Sequence, residues 1–267
     1  MRQISILGCG WLGLPLAQSL LEKGFSVKGS TTSIEKISML QENGILPFQI
    51  TISETKIEGE IDLFLDDSEI LIIDIPPKLR GDAKENFVSK IQTLIPFIEK
   101  SSVKKVLFVS STSVYSDDNS TISEETIAHP DSESGKQLLL VENLLQSNPN
   151  FKTTVVRFGG LIGNDRHPIK FLAGRKNIEN PEAPINMIHQ DDCIGIIEKI
   201  IELDCWQETF NAVAPFHPTR KEYYCQKAIK LNLTIPEFDE SKVSLGKMFL
   251  STKMESVLNY TFKNVTL

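Results

Sequence analysis

The chain has 267 residues, 40% hydrophobic and 24% charged, with 28 basic against 35 acidic side chains for a net charge of −7. That is an ordinary globular composition, large enough for one big domain or for a domain with a smaller lobe, and the acidic balance excludes a nucleic-acid surface that tracks phosphates. No apolar run reaches the ~18 residues of a membrane span, and Met1-Arg2-Gln3 leads into an apolar segment without room for a signal peptide, so the expectation is no membrane contact and a cytoplasmic location.

Taken in chain order, Ile4–Leu7 reads as a strand that stops at Gly8-Cys9-Gly10-Trp11-Leu12-Gly13 and gives way to a helix-period segment, Leu14–Lys23. A G-x-G-x-x-G between a strand and a helix is a dinucleotide phosphate loop. Gly8 makes the tight turn, Gly10 leaves room for a pyrophosphate, and Gly13 lets helix and strand pack closely. The helix N-terminus offers free N–H groups to the anion. Gly8, Gly10, Trp11, Leu12 and Gly13 are therefore candidate cofactor-binding residues.

The second strand, Phe25–Gly29, runs into Ser30-Thr31-Thr32-Ser33. An NAD-specific site carries an acid near this point to accept from the ribose hydroxyl, and none occurs here before Glu35. Ser30, Thr31 and Thr32, with the charges of Lys28 and Lys36, suit a 2′-phosphate, which needs donors and repels carboxylates. The expected cofactor is NADP(H) in preference to NAD(H). A helix over Ile34–Glu42 and strands at Leu46–Ile50 and Ile70–Ile75 follow. The last of these ends in Asp74-Ile75-Pro76-Pro77, which sets rigid, donor-poor backbone at Pro76 beside the cofactor path.

The helix expected over Lys84–Lys100 has an apolar stripe at Phe87, Ile91, Leu94, Ile95 and Ile98. A strand at Val106–Ser110, a polar tract at Ser116–Glu125 that reads as a solvated loop or a flap, a helix at Glu133–Gln146 and a strand at Thr153–Phe158 complete an alternation of βαβ units. The fold class is α/β, a Rossmann-type doubly wound parallel sheet over residues 1–158. The aperiodic stretch to Pro184 opens a smaller C-terminal lobe, 159–267, from which a segment at about 185–213 returns to the sheet. Helices at Cys193–Leu203 and Lys221–Leu231, a strand at Thr209–Val213 and a small helix in the tail belong to that half. Cys9, Cys193, Cys205 and Cys225 lack C-x-x-C or paired His spacing, so neither a metal site nor a disulfide is expected.

The fifth strand ends in Val109-Ser110-Ser111-Thr112-Ser113-Val114-Tyr115, which resembles the S-S-x-x-V-Y segment of the extended short-chain dehydrogenases/reductases. Lys136, Arg157–Gly163, Ile185–Asp192 and Phe210-Asn211-Ala212 extend the likeness over nearly the whole chain, toward the NAD(P)-dependent epimerase/dehydratase kind that acts on nucleoside-diphosphate sugars. The resemblance implies a Ser that polarises substrate, a Tyr that passes the proton, and a Lys that lowers the Tyr pKa and binds the nicotinamide ribose. Carried over, these are Ser111 and Lys136, with Ser132 where the Tyr is required. An aliphatic hydroxyl is a far weaker acid than a phenol, so the proton donor is missing.

Tyr115 is a candidate substitute or a packing residue of the strand-end turn, and His129 and His189 are further candidates. Arg166 and Arg175 could receive an anionic substrate. Two readings stay open: an oxidoreductase or epimerase acting on a sugar nucleotide or small carbonyl compound, and a non-catalytic NADP(H)-binding sensor. The family's habit of pairing through helices such as Lys84–Lys100 and Glu133–Gln146 leaves monomer or homodimer.

Overall fold

Seven short apolar segments form one sheet in the computed structural model, which describes residues 2–77 and 85–266. The strands are β1 (Gln3–Leu7), β2 (Ser26–Thr31), β3 (Leu46–Gln49), β4 (Ile70–Ile73), β5 (Lys105–Ser111), β6 (Lys152–Phe158) and β7 (Thr209–Ala212). Their spatial order is 3-2-1-4-5-6-7, and every pairing is parallel. Parallel strands covered on both faces read as continuous apolar runs, and β4, Ile-Leu-Ile-Ile at the centre, is wholly buried.

The helices close two faces. On one lie α1 (Gly13–Glu22), α2 (Ile37–Glu42), α7 (Gln190–Glu202) and α9 (Thr252–Leu258), which bury Leu16, Leu20, Leu40, Ile196, Ile200 and Met254 in a common core. The other carries α3 (Ile61–Leu65), α4 (Phe87–Lys100) and α5 (Glu133–Gln146), packed through Phe64, Phe87, Ile91, Leu94, Leu138 and Val141. A third, smaller core gathers Ile169 of α6 (Ile169–Leu172), Tyr223 and Tyr224 of α8 (Arg220–Lys230), and Ile185 and Met187. Beside it Gly160–Ile162 pairs with Met187–His189, and β7 then returns the chain to the main sheet against β6. Among the described residues no helix is long and apolar enough to cross a membrane.

Some boundaries differ from expectation for local reasons. The strand expected over Ile70–Ile75 ends at Ile73, three residues before the first of two prolines that have no N–H to donate. Ile34–Glu42 divides into a 3-10 turn, Ile34–Lys36, and α2. The helix that begins at Lys84 in the sequence reading is described from Phe87, with Asn86 as its cap, while Lys84 lies outside the described residues. The polar tract Ser116–Glu125 is stitched to the tail. Thr121–Ile122 pairs with Met248–Phe249, Asn119 N–H donates to Gly246 O at 2.7 Å, and Gly246 N–H donates to Asn119 Oδ1 at 2.9 Å.

Candidate functional site

The C-terminal ends of β1, β2 and β4 open onto a cleft of about 280 Å³. Gly8 stands at φ 109°, and a Cβ there would lie 2.2 Å from the Asp74 carbonyl oxygen. A Cβ at Gly13 would lie 2.2 Å from the Gly8 carbonyl. Gly10 is the opposite case: a Cβ would meet nothing within 4 Å and would project into open space. The turn is closed by Gly10 N–H donating to Gly8 O at 2.8 Å, and at the start of α1 the Gly13 N–H donates to the Asp74 carboxyl and the Leu14 N–H to Gly10 O at 3.1 Å, while Pro15 has no N–H. A cradle shut behind and open in front fits the close approach of a pyrophosphate to the backbone at Gly10, whereas the first-turn N–H groups of α1, expected to be free, are engaged on Asp74 and Gly10 O.

The hydroxyls at the end of β2 divide their work. Ser30, 2% exposed, accepts from Gly8 N–H at 3.0 Å, so its side chain braces the loop. Thr31 Oγ1 accepts from Ser33 N–H at 3.2 Å. Thr32 is exposed, and it lines the cleft together with Lys36, Ile50, Ile52 and Pro76. Lys28 is a correction to the sequence reading. It is 8% exposed, and its ammonium turns under α3 to donate to Leu63 O at 2.8 Å and Asp66 O at 2.6 Å, so it is spent on backbone carbonyls away from the cleft.

Asp74 is the residue sequence reasoning missed. It follows β4, lines the cleft beside Gly8 and Gly10, and accepts from Gly13 N–H. Burial pushes its carboxyl up to about 7, against the lowering effect of that N–H. Cys9, behind the same loop, is pushed up to about 12 by burial and then by Asp74, so its thiol is inert at neutral pH. The signal for Asp74 was its place, an acid at the end of an otherwise apolar central strand.

Trp11 carries the loop's outer contacts. Its Nε1–H donates to Asp165 Oδ1 at 2.9 Å, its carbonyl accepts from Gln190 Nε2 at 2.6 Å, and the Arg166 guanidinium lies 4.9 Å from its ring centroid. Leu12 is buried in the core under α1.

Among the described residues no side-chain hydrogen bond joins Ser111, Tyr115 and Lys136. Ser111 sits at the C-terminal end of β5, half-buried, and accepts from Ser113 N–H at 3.1 Å. Tyr115 is 2% exposed. Its hydroxyl accepts from Arg157 Nη1 at 2.5 Å and donates to Asn211 Oδ1 at 3.2 Å, inside a buried network in which Arg157 pairs with Glu142 and Ser110 donates to Glu142 at 2.5 Å. Those bonds hold Tyr115 inside the buried network beneath the strand-end turn. His189 caps α7 by accepting from Asp191 N–H at 3.2 Å.

Lys136 is the second correction. On α5 the residues turned inward are Gly135, Leu138, Val141, Glu142 and Leu145, whereas Lys136 is exposed on the outer side and Ser132 caps the helix by accepting from Gly135 N–H at 3.1 Å. Two positions along from that pair, the same four-residue spacing falls on half-buried Ser134 and buried Leu138. Neither a phenol nor an ammonium stands there.

No family profile matches the chain. Protein YeeZ of Escherichia coli K12 is 32% identical over 265 residues, 98% of this chain and 96% of that protein. A functionally unknown conserved protein from Silicibacter pomeroyi superposes with a TM-score of 0.81 at 20% identity, covering 100% of this chain and 95% of that one. UDP-glucuronic acid 4-epimerase from Bacillus cereus, solved in complex with NAD, superposes with a TM-score of 0.81 at 18% identity, covering 98% of this chain and 92% of that one.

Proposed function

The chain belongs to the family of Protein YeeZ and has an epimerase/dehydratase-like fold, and from that premise we propose that it is an NADP(H)-binding protein without the Tyr–Lys proton relay. The observation that carries the binding reading is the glycine cradle, closed at Gly8 and Gly13 and open at Gly10. In this reading the Gly8–Gly13 loop holds the pyrophosphate, while Thr32 and Lys36 face a 2′-phosphate and Ile50, Ile52 and Pro76 wall the adenosine end. A bound nicotinamide would supply or accept hydride. The chain's own residues hold the dinucleotide and present Ser111 at the neighbouring strand end.

The absence of a relay rests on α5, which turns Leu138 inward and Lys136 outward. A buried leucine can neither lower a phenol's pKa nor bond a ribose. This favours a protein that binds the dinucleotide and reports its redox state. Ser111 at the C-terminal end of β5 supports a second reading, turnover of a sugar nucleotide or small carbonyl compound with another acid.

NADPH and NADH titrations followed by cofactor fluorescence test the cofactor reading. NADPH is expected to bind at least tenfold tighter, because one charge-assisted contact to phosphate is worth roughly 1.5–3 kcal/mol. Lys36→Glu is expected to remove that difference. Equal affinities in the native chain would overturn the NADP(H) preference. Consumption of NADPH on addition of sugar nucleotides or carbonyl compounds would replace the sensor reading with the enzyme reading.

A further inference from the structure

A second cleft, of about 440 Å³, lies where α6, α8, the end of the Gly160–Ile162 strand and the C-terminal tail meet. Its lining brings together Lys170 of α6, Lys227 of α8 and Lys263 of the tail, with His189, Asn164 and Asn264 between them and no Asp or Glu among the described residues. Three lysines from three elements lining one concavity is unexpected in a chain whose net charge is −7. Other lysines of the chain pair with carboxylates, among them Lys221 with Glu240 at 2.6 Å and Lys253 with Glu208 at 2.7 Å. Among the described residues none of these three forms such a pair. Lys170 donates to the Asp165 carbonyl at 3.0 Å, and the Lys227 ammonium lies 5.9 Å from the Tyr223 ring centroid.

A neighbouring imidazole registers two of these charges. His167, 8% exposed at the base of the cleft, accepts from Ile169 N–H at Nδ1, so its Nε2 carries the proton that is shared with the Tyr223 hydroxyl at 2.8 Å. Burial first, then Lys227 and Lys170, hold that imidazole down to about 4 and therefore neutral. Of the nearby carboxylates, Asp191 lies 3.3 Å from His189 Nδ1, Asp165 accepts from Trp11 and has its pKa lowered by that bond and further by Lys170, and buried Asp192 accepts from the Lys263 N–H at 2.7 Å and the Asn264 N–H at 3.1 Å.

We propose that this cleft binds a multiply charged phosphate, either free or as the end of a small phosphorylated metabolite, at a site separate from the dinucleotide cleft. Three lysines lining one concavity, with the Asn164 amide and the His189 imidazole beside them, match the acceptor-rich, doubly charged oxyanion. The site backs onto the phosphate loop. Gly163 lines the cleft, and a Cβ on it would lie 2.8 Å from Trp11 Cζ2, so an occupant presses on the same turn that stacks over the loop.

Calorimetric titration of inorganic pyrophosphate and of glucose 1-phosphate into the full chain, at fixed ionic strength against sodium chloride, tests the proposal. Saturable one-to-one binding is expected, weakened at least tenfold in a Lys227→Gln/Lys263→Gln variant and retained in Gly10→Val, whose lesion lies in the other cleft. Tighter glucose 1-phosphate identifies a phosphorylated metabolite, and tighter pyrophosphate identifies the free anion. Lysine charge removal at half-buried and exposed positions should leave the melting temperature within a few degrees, which separates lost binding from lost fold. No saturable heat with either probe, unchanged affinity in the lysine variant, or loss of binding in Gly10→Val would each overturn the proposal.

Discussion

Asp74 is an acid at the rim of a site meant for an anion, and its protonation decides whether the two coexist. Its ordinary pKa is ~3.9, and in the folded chain burial raises it to about 7. The folded state therefore holds a proton between pH ~4 and ~7 that the unfolded chain has released, so stability falls as pH rises through that window. A tenfold change in proton affinity corresponds to about 1.4 kcal/mol, which makes this one carboxyl a measurable part of the whole. Above about pH 7 the charged carboxylate also faces the pyrophosphate, so dinucleotide affinity is expected to weaken from pH 6 to pH 8. Asp74→Asn, which keeps the shape and removes the titration, should flatten both profiles and raise the melting temperature most at pH 8. A native chain whose affinity does not change over that range would refute the role. The geometry of the three glycines in the Gly8–Gly13 turn was legible in the sequence because it is local. Asp74 and Lys28 were not, since burial and the carbonyls of α3 decide what each does, and neither is written in the neighbouring residues.

At the scale of the element, helix phase separates what was readable from what was not. The stripe on α4 and the alternation of strand and helix are periodic signals, and most of the corresponding elements formed within about two residues of the expected ends. On α5 the Tyr-x-x-x-Lys spacing, counted back from Lys136, carries no information on which side of the helix faces the sheet. The sheet-facing side is set by Leu138, Val141 and Leu145, and by Glu142, whose carboxylate receives Arg157 and Ser110. A glutamate inside an apolar helical run was the available clue to that phase. Lys136→Ala is accordingly expected to leave NADPH affinity within twofold, measured by the same titration; a tenfold loss would return Lys136 to the site. Arg157→Ala should cost about 3–5 kcal/mol in denaturant unfolding, because it strands a buried carboxylate. A cost under about 1 kcal/mol would mean that the network does not anchor α5.

Across the whole molecule, two helical layers cover a seven-stranded parallel sheet, and the chain's order of strands puts the glycine loop at the ends of the central ones. Ligands of such sheets bind outside the carboxyl ends of the strands, which is where Gly10 faces open space and Thr32 and Lys36 line the cleft. The fold was legible because the βαβ pattern repeats over most of the chain. The lobe after Phe158 was less so: α6 has only four residues, and its small core is assembled from segments distant in sequence. The account turns on whether the open cradle holds a dinucleotide, and the most direct measurement is a fluorescence titration of NADPH into the native chain and Gly10→Val in parallel. The account predicts saturable one-to-one binding to the native chain and none to a Gly10→Val variant that melts within a few degrees of it; no saturation in the native chain, or equal affinity in the folded variant, would contradict it.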